Sequence, residues 1–210
     1  MTKQELRKEI ANRLSHLSST ELKEQSDFIC RKVITSADYL DCTVLLAYMP
    51  LSDEVDITPI IKHALENNKI VFLPKIKSGT NQMDFYQYFQ SAVTTRSSYG
   101  ILEPQADEAY NLLTFLKNNH TAKILMLVPG RAFTKDGKRL GRGKGFYDIY
   151  FARLAAAISQ NQASQNFKIK KSGVCFSRQL LPDLPTTPDD VMMDSVISTG
   201  SITDQFISEE

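Results

Sequence analysis

Thr43-Val-Leu-Leu-Ala-Tyr-Met-Pro50, Asp56-Ile-Thr-Pro-Ile-Ile-Lys-His-Ala-Leu-Glu-Asn67 and Ile70-Val-Phe-Leu-Pro74 together decide the fold. The first and third are short apolar runs bounded by proline, the pattern of strands buried on both faces. Between them Ile57, Ile60, Ile61, Ala64 and Leu65 fall on one helical face. The three segments read as a strand, a crossover helix and a second strand, the unit that builds parallel sheets.

Outward from this unit the alternation continues. Met83–Phe89 has the mixed polarity of an edge strand, and Lys123–Val128 reads as a central strand ending at Pro129-Gly130. Phe146 to Ile158 is a helix rich in aromatics and alanine. Gly173–Phe176 and Ser195–Ser198 are the last strands, and Pro182, Pro185 and Pro188 forbid regular structure between them. Gln160 to Gln165 reads as an exposed connection. Upstream, Thr2 with Glu5 and Ser18 with Glu21 have capping-box spacing. Leu6, Ile10 and Leu14, then Leu22, Ile29 and Val33, recur behind them at helical intervals. The expectation is a three-layer α/β/α fold: a mainly parallel sheet with helices on both faces and an N-terminal helical pair. In such sheets ligands gather at the carboxyl ends of the strands.

Composition narrows the function classes. A chain of 210 residues with 42% apolar and 23% charged residues is ordinary for a soluble protein and suits one domain. Its 25 basic and 24 acidic residues leave a net charge of +1, without the global field that draws nucleic acid or an anionic membrane. Cys30, Cys42 and Cys175 are odd in number and widely spaced, which argues against a disulfide framework and for a reducing compartment. No stretch approaches the ~20 apolar residues of a membrane span, and the charged N-terminus carries no signal region. A cytoplasmic monomer acting on small molecules is the expectation.

The segment Lys138-Arg-Leu-Gly-Arg-Gly-Lys-Gly-Phe-Tyr-Asp148 stands between a strand and a helix. Glycines at 141, 143 and 145 let backbone N–H groups approach a ligand, and the following helix presents its positive end. Five basic residues from Lys135 to Lys144 concentrate charge there. The spacing fits neither a Walker loop nor a dinucleotide fingerprint. Composition alone leaves an anion cradle and a solvated basic turn both open; a nucleic-acid loop lacks the interleaved aromatics it would need.

The complete string resembles the signature of the 5-formyltetrahydrofolate cyclo-ligase family, also called 5,10-methenyltetrahydrofolate synthetases. Lys3-x-x-Leu-Arg7, Asp53-Glu-Val-Asp56, Tyr99-Gly-Ile-Leu-Glu-Pro104 and Val128-Pro-Gly130 match in the right order, so the likeness runs from Lys3 to about Val196. The resemblance implies ATP as co-substrate, Mg²⁺ as cofactor and 5-formyltetrahydrofolate as substrate. Residue by residue, it implies that Lys3, Arg7, Arg139, Leu140, Gly141, Arg142, Gly143, Lys144, Gly145, Phe146 and Tyr147 hold ATP. Arg142 and Lys144 would neutralise the transferring phosphoryl group. Lys3 and Arg7 are four apart and share a helical face, a spacing that also suits a solvated charged surface.

The same resemblance assigns Met49, Glu54, Tyr99 and Tyr147 to the folate, with Glu54 accepting paired N–H bonds from the pterin. Met49 reads equally as core packing. Phe146 replaces a tyrosine more often found in the family. Asp148 and Asp190 are the implied magnesium ligands. At the second, Asp189 replaces a histidine or asparagine, and the neighbouring aspartates leave the register open among Asp189, Asp190 and Asp194. His16, His63 and His120 lie in no matching motif. A small-molecule kinase and a noncatalytic folate- or RNA-binding protein are the rival classes.

Overall fold

The computed structural model describes residues 1–89, 95–96, 102–104, 106–119, 121–160 and 167–200. In chain order the elements are α1 (Lys3–Ser15), α2 (Ser19–Ile34), α3 (Ala37–Asp41), β1 (Val44–Leu46), α4 (Thr58–Glu66), β2 (Ile70–Ile76), β3 (Met83–Tyr88), β4 (Thr95–Arg96) and β5 (Leu102–Glu103). Then follow α5 (Leu112–Asn118), β6 (Ala122–Val128), β7 (Ala132–Phe133), β8 (Arg139–Leu140), α6 (Phe146–Gln160), β9 (Phe167–Val174) and β10 (Ser195–Ile197).

Six strands form the main sheet in the order β10-β9-β6-β1-β2-β3. All neighbours run parallel except β2 and β3. The side-chain period of two sorts the strand residues onto two cores. Leu45, Ala47, Val71, Leu73, Leu125 and Leu127 pack with Leu6, Ile10 and Leu14 of α1, Ile29 and Val33 of α2, and Ile60 and Ala64 of α4. Val44, Leu46, Phe72, Ile124 and Met126 pack on the other side with Leu112 and Leu116 of α5 and Tyr150, Phe151 and Leu154 of α6. These are the three expected layers. Each such side chain, fully withdrawn from water, contributes on the order of 1.5–3 kcal/mol.

Both N-terminal helices begin with the capping box their sequences predict: Thr2 and Glu5, then Ser18 and Glu21, satisfy one another's backbone N–H groups. Strand boundaries differ in two places. Pro74 lies inside β2, opposite Phe85 of β3, and does not end it. Phe72 directs its carbonyl toward Ala47, so residue 74 faces that same side, where β1 has already ended and no ladder bond is lost. Likewise β9 starts at Phe167, six residues before the glycine that marks its expected start. Among the described residues its lysine-rich half pairs with β6 on one side only, because β10 covers just Ser172 to Val174.

The chain runs from β1 to one edge of the sheet through β2 and β3, and from β6 to the other edge through β9 and β10. The direction of winding therefore reverses between the adjacent strands β1 and β6, and the crevice beyond their carboxyl ends is where such sheets hold ligands.

Candidate active site

A cleft of about 530 Å³ opens at that point. The connection after β1 forms one wall. Tyr48 is buried and donates its hydroxyl to Val55 O at 3.0 Å, folding the connection back on the strand. Burial, and to a lesser degree the nearby Glu54 carboxylate, push that phenol well above its ordinary pKa, so it remains a donor. Within the connection, Leu51 N donates to Glu54 Oε2 at 3.1 Å, and Glu54 N donates to Leu51 O. Glu54 is thereby turned into the cleft beside Met49.

The glycine-rich segment after β6 forms the opposite wall. The chain leaves β6 through the β7–β8 hairpin, in which Ala132 pairs with Leu140 and Phe133 with Arg139. The hairpin returns the chain to the cleft and starts α6 beside it. Gly143 has a φ of 98°, a backbone region that favours glycine. A Cβ there would also lie 3.3 Å from the Arg7 guanidinium carbon. Arg7 Nε in turn donates to Gly141 O at 2.8 Å, so α1 closes over the loop.

Arg139 and Arg142 share this loop but not an environment. The Arg139 side chain is 5% exposed, donates to Asp148 Oδ1 at 3.2 Å and Pro129 O at 3.2 Å, and lies 5.1 Å from the Tyr147 ring centroid. Burial lowers its pKa against the opposing pull of Asp148. Burial and the adjacent Glu54 raise that of Tyr147. Arg142 is 30% exposed; its Nε donates to Glu54 Oε1 at 2.8 Å and its NH2 to Asp53 Oδ1. Arg131 donates to the other oxygen of Asp53. Burial alone would raise the Asp53 carboxyl, but the hydrogen bonds and charges of Arg142 and Arg131 hold it below the usual carboxylate range.

Asp190 comes from the proline-bounded loop, where its Oδ2 accepts from Thr187 Oγ1 at 3.1 Å and from Lys3 Nζ at 2.5 Å. These bonds outweigh burial and lower its pKa. Asp190 faces the cleft, Asp189 lines a second pocket along α6, and Asp194 accepts from Lys171 N at 2.7 Å.

Lys3, Arg7, Met49, Glu54, every residue from Arg139 to Asp148, and Asp190 thus surround one cavity. Tyr99 and His120 lie outside the described residues. His16 caps α1, and His63 meets the Tyr39 hydroxyl at 2.7 Å, so neither reaches the cleft. Sequence reasoning gave no role to Arg131 or Asp53. It also missed an apolar end formed by Pro74, Ile76 and Met83, the last two cross-strand partners on β2 and β3. Asp53 stood in a quoted motif, but what it holds is visible only once residues 131 and 142 are brought beside it.

A three-layer α/β architecture with a glycine-rich basic loop and carboxylates at the winding switch point defines the chain as an α/β protein of the class that holds ligands beyond the carboxyl ends of its strands. Residues 1–199 match the 5-formyltetrahydrofolate cyclo-ligase family, and the chain belongs to it. The 5-formyltetrahydrofolate cyclo-ligase of Mus musculus is 32% identical over 95% of this chain and 94% of its own length. The probable 5-formyltetrahydrofolate cyclo-ligase of Schizosaccharomyces pombe is 30% identical over 96% of this chain and 97% of its own. Among solved structures, the 5,10-methenyltetrahydrofolate synthetase of Aquifex aeolicus superposes with a TM-score of 0.69 at 27% identity, covering 94% of this chain and 90% of that one. The chain is accordingly a ligase of folate one-carbon metabolism.

Proposed function

We propose that the chain uses ATP and Mg²⁺ to close 5-formyltetrahydrofolate to 5,10-methenyltetrahydrofolate in the cleft between β1 and β6. The observation that carries this reading is the convergence on one cavity of the glycine-rich basic loop, the α1 cations, two carboxylates and Glu54. The loop and Lys3 and Arg7 suit a triphosphate. The apolar end and Glu54 suit a flat bicyclic ring that carries N–H donors on one edge.

An amide-like formyl oxygen is a poor leaving group. In the proposed reaction that oxygen attacks the γ-phosphorus as the bond to ADP breaks. The N10 amine then adds to the activated carbon and loses its proton, and phosphate leaves with the former formyl oxygen. Catalysis of this kind is mostly alignment and neutralisation of charge. Lys144 is exposed and makes no ion pair among the described residues, so its ammonium is available to phosphate oxygens. Arg142, which lines the same cavity, would support the same phosphoryl group.

Asp148 and Asp190 are the residues that would hold magnesium. The donor set fits: this hard cation takes one or two carboxylates and fills its remaining positions with phosphate oxygens and water. No group of three or more His, Cys, Asp or Glu side chains able to hold a metal occurs among the described residues, so an all-protein cage is not the arrangement offered. When bound, Mg²⁺ supplies charge neutralisation for the triphosphate. Arg139 and Lys3 pair with the two carboxylates and hold them at the cleft. No described helix is long and apolar enough to cross a membrane.

Incubation with ATP, Mg²⁺ and 5-formyltetrahydrofolate tests the proposal. Appearance of the methenyl chromophore in the near ultraviolet, dependent on ATP and abolished by a chelator, is the expected result. ATP consumption without the chromophore, or no consumption at all, overturns it.

A further inference from the structure

Along the cleft wall four side chains form a continuous run of ion pairs, Arg131 to Asp53 to Arg142 to Glu54. Asp53 holds the end of the Arg142 guanidinium: Oδ1 accepts from NH2, and Oδ2 lies 3.5 Å from NH1. Glu54 holds a different edge, accepting from Nε at 2.8 Å. The two carboxylates differ in position. Glu54, Arg131 and Arg142 line the cavity, whereas Asp53 does not.

Two consequences follow from this geometry. Both oxygens of Glu54 are engaged, one by Leu51 N and one by Arg142 Nε. A ligand that offers paired N–H donors to Glu54 therefore competes with Arg142 Nε for Oε1. The grip of Asp53 on the other end of the guanidinium does not depend on that bond, so Arg142 stays in place. The partner of Arg142 also changes. The four groups carry no net charge, and uncharged N–H donors leave that sum unaltered, but the exchange frees the Arg142 Nε–H beside the glycine-rich loop. A guanidinium N–H without its carboxylate partner in a partly desolvated wall is a strong donor to an adjacent anion.

We propose that Asp53 is a positioning residue: it keeps Arg142 in the cleft wall while Glu54 exchanges that arginine for the N–H edge of the folate, so that folate binding frees an Arg142 N–H for the triphosphate. The inference rests on the reading that Glu54 takes the folate and the glycine-rich loop takes ATP. It adds a direction of coupling that neither assignment contains.

The test is calorimetric titration of the full chain with a non-hydrolysable ATP analogue and Mg²⁺, with and without saturating 5-formyltetrahydrofolate. In the wild type the folate tightens analogue binding about 10-fold, within the usual range for coupled sites. In Asp53→Asn the coupling falls below about 2-fold and turnover drops, while folate binding alone is little changed; Asp53→Glu restores part of the coupling. Glu54→Gln keeps a polar partner for Arg142 but removes the negative charge. It therefore binds the analogue about 10-fold tighter than wild type without folate, and folate adds nothing further. This second variant decides the matter even where Asp53→Asn does not fold. Coupling that persists in a folded Asp53→Asn, or no tightening in Glu54→Gln, overturns the positioning role. A wild type that binds neither ligand and forms no chromophore overturns the functional reading itself, a separate outcome.

Discussion

The two ends of the glycine-rich loop, three residues apart in the arginines they carry, are built for opposite purposes. At the β8 end Arg139 is buried, stacked near Tyr147 and matched with a backbone carbonyl and Asp148. Its pKa is pushed down by burial, the mark of a cation confined among fixed partners. At the distal end burial acts on Arg142 as well, yet Asp53 and Glu54 together carry its pKa upward. Arg142 is half-open to the cleft and its partners are side chains that can be exchanged. One loop thus contains an anchor and a charge whose partner can be exchanged, and Gly143 just beyond them leaves room for Arg7 of α1.

The largest expected effect separates loop chemistry from loop structure. Lys144→Ala removes an exposed, unpaired ammonium and should reduce turnover about 10²- to 10³-fold, as loss of one transition-state charge contact does. Its thermal midpoint should stay at the wild-type value; a midpoint that falls with activity means that Lys144 belongs to the anchor. At the other end Arg139→Ala leaves Asp148 unpaired and a void beside Tyr147. Urea denaturation should report a loss of roughly 3 kcal/mol. A stability cost below about 0.5 kcal/mol would remove the distinction between the two arginines.

A smaller effect concerns pH. The Asp53 carboxyl is held below its ordinary value by Arg142 and Arg131, so its contribution to stability is present above the unfolded-state pKa and is lost as pH falls through the depressed folded value. The stability gap between wild type and Asp53→Asn should accordingly be about 1 kcal/mol at neutral pH, because the site is partly screened by solvent. It should shrink as the solution becomes more acid than the ordinary carboxylate range. A gap that widens on acidification contradicts the assignment.

The smallest effect uses the caps. Thr2→Ala and Ser18→Ala should each cost about 1 kcal/mol. Only Thr2→Ala should also raise the KM for ATP, because α1 carries Lys3 and Arg7 to the loop and α2 carries no cleft residue. Equal KM values in the two variants would show that the loop does not depend on α1.

The parts legible in advance were those set by local rules. The capping boxes, the buried apolar strands and the β1–α4–β2 unit follow from short-range pattern and appear where the sequence placed them. The parts that escaped depend on neighbours. The lysines of β9 hid a strand because nothing in their spacing tells that one flank would stay unpaired. α5, capped by Asn111 Oδ1 accepting from Leu113 N at 2.8 Å, is seven residues long, too short for periodicity to announce. The β7–β8 hairpin comprises two residues on each side.

Read as sequence, the glycine-rich segment already determined that an anion-binding turn lies between a strand and a helix, since glycine spacing, charge and the switch of period are properties of contiguous residues. It could not decide which carboxylates would meet which arginines. Arg142 and Glu54 are 88 positions apart, and Lys3 and Asp190 are 187 apart. The first pair is set by the reversal of winding between β1 and β6, which places the connection after one strand against the loop after the other, and the second by the packing of α1 beside that loop. Only the tertiary structure therefore decided that Asp53 stands behind the wall and Glu54 within it, because adjacent residues in a tight turn point in different directions.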